Sequence, residues 1–368
     1  MITRPKDQIT TSQAVVVIIN TIVAVGILTL PRATVEEVKT PDAWIAVILG
    51  GLISMIAGVI IVKLSQQFPD KTFYQYSQQL VGKWAGWLLS LLIIVYFFTL
   101  SAFEVRALAE VTELYLLDDT PIWAITMPFM WVGLYLIIGG INPIARLFEI
   151  IFPITIIIFL LVTFMSFGIF EIDNLRPVLG LGVMPVLKGI KTTALAYTAA
   201  EIMLILVAFM EQPNKAVKVV LVGIGIPVLF YVITVVMVIG ALSVDGVAKR
   251  TWPTFDLIRS FEITGLIFER FESLLLVIWI MQIFATFTIT YYAAALGLSQ
   301  LFQKNIQPFM YGLLPVIYIL AMIPKNTNDL FALGDMIGNA ALFLFGALPL
   351  FLLVVSRLKE GKHKSRYF

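Results

Sequence analysis

Two stretches of this chain set poor helix backbone inside strongly apolar surroundings. VAVGILTLPR, Val23 to Arg32, puts Gly26 and Pro31 a few residues apart after a run of Thr, Val and Ile. Gly lacks side-chain restraint and Pro lacks an N–H, so a helix is expected to break there. ALAYTAAEIM, Ala194 to Met203, interrupts a second apolar run with small residues and one carboxylate, Glu201. A broken helix leaves unpaired carbonyls on one half and unpaired N–H groups on the other. Such ends can hold a zwitterion, with ammonium on the carbonyls and carboxylate on the N–H groups. This is binding chemistry rather than catalysis. The chain has no Cys, and its only His, His363, lies in the tail, so thiolate metal sites and membrane-depth histidine catalysis are excluded. No cofactor or metal is expected. A formal net charge of +2 offers no nucleic-acid surface.

The elements that must position these groups follow from composition. Of 368 residues 60% are hydrophobic and 13% charged, against roughly 45–50% and about 25% in soluble domains. Apolar windows long enough to cross a bilayer recur throughout, and no polar stretch would form a separate soluble domain. The first apolar run has no small-residue cleavage pattern after it and reads as a retained helix. Ten crossings are expected, near Thr11–Val38, Ala43–Gln67, Trp84–Leu116, Ile122–Ile138, Pro143–Phe167, Pro185–Phe209, Val217–Leu242, Phe271–Leu298, Pro308–Ile323 and Phe331–Ser356. Even parity puts both termini on one side. Lys and Arg are in modest excess there, largely through the tail Arg357, Lys359, Lys362, Lys364 and Arg366, which favours cytoplasmic termini.

Five crossings separate the two weak points, and each lies about a dozen residues into the first member of its half. An odd number between them means the halves enter the membrane from opposite sides. That is the pattern of a five-plus-five inverted repeat, about 11–168 and about 185–356, with discontinuous first and sixth helices. Small residues also serve close helix packing; two breaks in register favour a binding site instead. Irregular backbone at membrane depth requires protein or a water-lined cavity around it, which gives the breaks a purpose.

Other polar residues at depth are weighed the same way. Glu201 can cap exposed N–H groups or contact a ligand or ion. In the third crossing Arg106, Glu110 and Glu113 share a stripe where pairs compensate one another. With Glu104 they are expected toward the outer surface, in a structural or partner-facing role, because the run exceeds the bilayer. Nearer the middle, Leu100 and Ser101 face the expected pocket. In the eighth crossing Thr286 and Thr290 share a face, suited to ligand contact or to bonding the preceding turn. The long segment Ser243–Arg270 is expected to fold over the outer face.

The blocks GILTLPRA, PDAW, SAFEVRALAE, NLRPVLG, the Glu201 region, WPTFDLIRSFE and ERFESLLLVIWIMQIF carry a likeness from end to end. The chain resembles the B subunit of GerA-type nutrient germinant receptors of endospore formers. That family in turn is similar to the amino acid, polyamine and organocation transporters with their LeuT-type fold. The resemblance implies an all-α integral membrane protein of the spore inner membrane that recognises a nutrient, often an amino acid. It implies partners too: an integral A subunit, a lipoprotein C subunit and membrane lipid, with the basic tail against anionic headgroups. Carried over, the breaks are Ala24, Val25 and Gly26 in the first helix, and Tyr197, Thr198, Ala199 and Glu201 in the sixth. Many relatives have Gly at the Ala24 and Ala199 positions, so the added methyls narrow the pocket or change its ligand. The fold places Thr286 beside the first break, and makes Arg32 and Asp335, at the outer ends of the first and tenth crossings, a candidate gate. The fifth crossing lacks the Lys that proton-coupled members can carry, which weakens a proton-driven reading. The expected function is nutrient sensing as a receptor subunit, not enzymatic; the alternative is an amino acid permease of the same fold.

Overall fold

The computed structural model of the protein describes residues 8–198, 200–260 and 272–364. Helix α1, Thr11–Ile22, starts on a reciprocal cap: the Gln13 amide donates to the Thr10 hydroxyl at 3.2 Å and the Thr10 amide to the Gln13 side chain at 3.0 Å. It stops at Val23, and α2, Gly26–Val38, resumes at a bend of 51°. Pro31 sits inside α2 and deprives the Ile27 carbonyl of its helical donor. The Thr254 hydroxyl donates to that carbonyl instead, at 2.9 Å. Thr254 belongs to α11, Pro253–Arg259, so the freed carbonyl pins the outer segment onto the first crossing.

The remaining helices of the first half are α3, Ala43–Ser65; the short α4, Phe73–Val81; α5, Lys83–Tyr115; α6, Ile122–Ile138; and α7, Ile141–Ser166. The sixth crossing is fragmentary. Only α8, Met184–Gly189, and α9, Met203–Leu206, are α-helical, with turns and 3-10 geometry between. Thr192, Thr193 and Thr198 explain part of this, each donating its hydroxyl to the carbonyl three residues back. Such local bonds compete with the helical ladder. Next come α10, Ala216–Ala248, kinked at Ser243 with φ 60, then α11, and α12, Glu272–Phe302. Last are α13, Ile306–Ala321, and α14, Thr327–Ala341, which continues through a π-helical turn, Leu342–Ala347, into α15, Leu348–Lys364.

Among the described residues six helices are long and apolar enough to span a bilayer, or seven spans if the bent α1–α2 pair counts as one. Three shorter apolar helices, Ile122–Ile138, Ala200–Phe209 and Ile306–Ala321, stand at the expected fourth, sixth and ninth crossings. The second members of the two halves, α3 and α10, pack on each other, as do the third members, α5 and α12. In α12 78% of the apolar window is buried, and in α7 22%, so α12 lies at the centre and α7 faces lipid. Ile9 bonds across to the end of the sixth crossing through Phe209 and Glu211, at 2.8 and 3.0 Å. Gln66 reaches the Pro213 carbonyl at 2.7 Å, and Ser356 bonds its neighbour Gln67. The starts and ends required to share a face by the even parity therefore do so.

Close packing between halves depends on small residues. A Cβ on Gly51 of α3 would stand 2.3 Å from Val228 and 3.0 Å from the Tyr197 hydroxyl, whereas one on Gly312 of α13 meets nothing within 4 Å. Gly51→Leu should destabilise the purified protein by about 1–3 kcal/mol, read as a lower melting temperature in detergent, while Gly312→Leu should leave it unchanged.

Candidate ligand-binding site

The break in the first crossing is built from three buried residues, Val23, Ala24 and Val25. The carbonyls just before it have left the helical ladder and are taken by side chains from distant helices. Tyr231 of α10 donates its hydroxyl to the Ile22 carbonyl at 2.5 Å, and Thr286 of α12 to the Thr21 carbonyl at 2.8 Å. The same Tyr231 hydroxyl lies 3.1 Å from the Ala196 carbonyl of the sixth crossing. One O–H thus faces a carbonyl from each of the two crossings. Gly26 is where this meeting happens: a Cβ there would sit 2.2 Å from the tyrosine oxygen and 3.1 Å from the Ala196 Cα. Its missing side chain makes room for Tyr231 and the sixth-crossing backbone.

On the sixth crossing Tyr197 is buried, donates to the Val47 carbonyl of α3 at 2.8 Å, and sets its ring edge-on to Tyr231. Thr198 is buried and bonds its own turn. Glu201 is buried and accepts the Tyr96 hydroxyl at 2.5 Å; the Tyr96 ring in turn leans on Phe345 of the π-helical turn. Ala199 lies outside the described residues. Leu100 and Ser101 are buried in α5, with Ser101 bonded to Thr290 at 2.7 Å. Beside the first break, Gln282 donates to Asn20 at 2.9 Å and to Thr155 at 2.6 Å, and Asn20 to the Phe148 carbonyl at 3.0 Å. This ties α1, α7 and α12 together.

Residues 8–330 match the Spore_permease family, described as spore germination protein. The chain belongs to this family. It is 60% identical to the Bacillus subtilis (strain 168) spore germination protein YndE over 360 residues, 98% of this chain and 99% of that one. To spore germination protein A2 of the same organism it is 36% identical over 353 residues, 96% of each chain. Among solved structures, MhsT in complex with L-phenylalanine aligns with a TM-score of 0.70 over 96% of this chain and 99% of that one, at 10% identity. That likeness establishes the fold, a LeuT-type inverted repeat in a multi-pass membrane protein.

In this spore germination protein several sequence expectations meet their side chains. Thr286 lies beside the first break, as the family resemblance implied, with its hydroxyl on the Thr21 carbonyl, and Thr290 turns to Ser101. Arg32 and Asp335 form no ion pair. Arg32 bridges Glu36 one turn along, at 2.7 Å, and its guanidinium lies 5.2 Å over the Phe331 ring, while Asp335 is exposed. The outer contact between the first and tenth crossings is therefore a cation–π one. Asp335 follows Gly334, whose bare face packs on Leu195 and Phe103, so the aspartate is turned away from the interior. Glu104 and Arg106 are buried, because α13 and α14 pack against α5. Arg106 does pair with Glu110, as the stripe suggested, and Glu110 receives the Thr327 hydroxyl at 3.2 Å.

Tyr231, Tyr96 and Asn20 are site residues that the sequence did not single out. Tyr231 stands in FYVITVV, where an aromatic looks like any other membrane residue. Asn20 could have been noticed, since a lone amide three residues before a break is costly unless bonded.

The geometry makes Gly26 and Tyr231 a coupled pair. Gly26→Ala should lower the melting temperature and folded yield, and Tyr231→Phe should cost about 1–3 kcal/mol by leaving buried carbonyls unpaired. In the double variant the most severe contact, with the hydroxyl, is gone and only the ring carbon at 2.9 Å remains close, so its loss should be smaller than the sum of the two single losses. Additive losses would mean that the two positions are not in contact.

Proposed function

We propose that this chain is the nutrient-sensing subunit of a germinant receptor and that it binds an amino acid between the two broken crossings. The observation that carries this is the convergence of the Ile22 and Ala196 carbonyls, one from each break, on a single tyrosine hydroxyl. An ammonium group suits that position better than a phenol does, since it offers several donors and a full charge. The first turn of α2 brings N–H groups at its positive end, the complement for a carboxylate. Val25 and Ala24 would then flank the ligand from the first crossing, Tyr197, Thr198, Ala199 and Glu201 from the sixth, and Leu100 and Ser101 from the third. Entry of the ammonium displaces the Tyr231 hydroxyl and so favours one arrangement of the repeats over another.

The fold shared with MhsT equally supports a permease reading, in which the same movement carries the amino acid across the membrane. The two differ in what they need. A sensing subunit acts through partners, here an integral A subunit and a lipoprotein C subunit, in the spore inner membrane with both termini in the cytoplasm. The surfaces suited to them are the outer segment around α11 and the lipid-facing helix flanks.

Germination assays on spores lacking other nutrient receptors test both points. Thr286→Val keeps the shape and removes the hydroxyl, and should raise the amino acid concentration needed by roughly tenfold, about 1.4 kcal/mol. Unchanged sensitivity would make Thr286 purely structural. Expressed without the A and C subunits, the chain should give no response; germination by this chain alone, or amino acid accumulation in liposomes, would favour the permease.

A further inference from the structure

Glu104 is the one buried charge near the site that neither the fold nor the proposed pocket accounts for. It lies on α5, one turn beyond Leu100 and three residues from Ser101, on the face turned inward. Its side chain is 4% exposed, and its Oε2 is fully enclosed with no hydrogen-bond partner. It lies within electrostatic reach of Tyr231, whose hydroxyl sits between the carbonyls of the two breaks. The donors nearby are committed elsewhere. Tyr231 and Thr286 give their protons to backbone carbonyls, and Ser101 and Thr290 bond each other. The one cation in the same helix region, Arg106, is two residues on, hence on the opposite side of the helix, and is paired with Glu110. Of the other buried carboxylates among the described residues, Glu201 has the Tyr96 hydroxyl and Asp42 the Thr40 hydroxyl and the Leu179 amide.

A carboxylate enclosed without donors is costly, and at membrane depth such a group is retained for a partner it meets in function. The surroundings say which partner. An enclosed carboxylate within reach of the tyrosine that meets the Ile22 and Ala196 carbonyls adds a further acceptor to that side of the breaks, which a cation carrying several N–H donors would complete. We infer that Glu104 is the counter-ion for the ammonium group of the nutrient, so that the site selects amine-bearing ligands over their deaminated analogues. This rests on the amino acid reading above and extends it to a residue and a ligand class. The same acceptors would suit a small inorganic cation, and the experiment separates the two.

Purified wild-type protein and the Glu104→Gln and Glu104→Asp variants are compared by thermal stabilisation, with the twenty protein L-amino acids singly, the deaminated acid of the strongest stabiliser, methylammonium chloride and sodium chloride at equal ionic strength. The expected result is that wild type binds the amino acid at least tenfold tighter than its deaminated acid. Glu104→Gln should lose at least tenfold in amino acid affinity with little change for the acid, and should lose stabilisation by methylammonium. Glu104→Asp should retain part of both, and it carries the comparison if the Gln variant folds poorly. Amino acid binding by Glu104→Gln equal to wild type overturns the counter-ion role while leaving the amino acid reading intact. Sodium stabilising as well as methylammonium, through Glu104, overturns the ammonium assignment in favour of an inorganic cation. If no amino acid stabilises wild type, the amino acid reading fails, and the methylammonium comparison still decides whether Glu104 holds an amine.

Discussion

Backbone polar groups at membrane depth have no water to turn to, and every departure from helix in this protein has to be matched by a side chain from elsewhere. The first crossing departs twice. Its break frees the Thr21 and Ile22 carbonyls, and Pro31 frees that of Ile27. Thr286, Tyr231 and Thr254 each supply one hydroxyl, and each comes from a different helix of the second half. The two halves are thus held in register by the need to satisfy three carbonyls. Apolar packing between α3 and α10 and between α5 and α12 supplies the bulk of the contact but little of this specificity.

The same constraint allows movement. A hydroxyl standing in for a helical N–H makes one modest bond, worth about 1 kcal/mol net, and a ligand with several charged donors can compete for it. The Tyr231 contact is shared between two carbonyls, so its displacement would loosen the first and sixth crossings from each other at once. By contrast, the Gln282–Asn20–Thr155 cluster and the Tyr96–Glu201 contact are enclosed polar links whose loss strands buried groups. The region around the breaks therefore combines single hydroxyl bonds at the freed carbonyls with a more enclosed polar cluster beside them.

At the face opposite the termini, Arg32 joins the first crossing to the tenth by lying over Phe331, whose ring leans on Trp252. The contact brings together α2, α14 and the start of the outer segment. A cation–π contact of this kind is compatible with opening, since guanidinium and ring are each well accommodated at a water interface when apart.

The sequence by itself determined that the chain crosses a membrane many times, that its first and sixth crossings break, and that the halves are inverted. These follow from apolar length, from Gly and Pro, and from parity, all of which are local or additive along the chain. It also put Thr286 and Thr290 on one helix face, because helical periodicity is local, whereas the place of that face beside the first break came from the family resemblance. Which group meets which was left to the tertiary structure. Nothing in FYVITVV marks Tyr231 as the bond between two breaks, nothing near Arg32 says that Phe331 rather than Asp335 lies across from it, and nothing in the length of the third crossing says that Glu104 and Arg106 are enclosed. Burial of those charges depends on how α13 and α14 pack against α5. Most such contacts join residues more than a hundred positions apart, and a sequence carries periodicity within an element but not the distance between two of them.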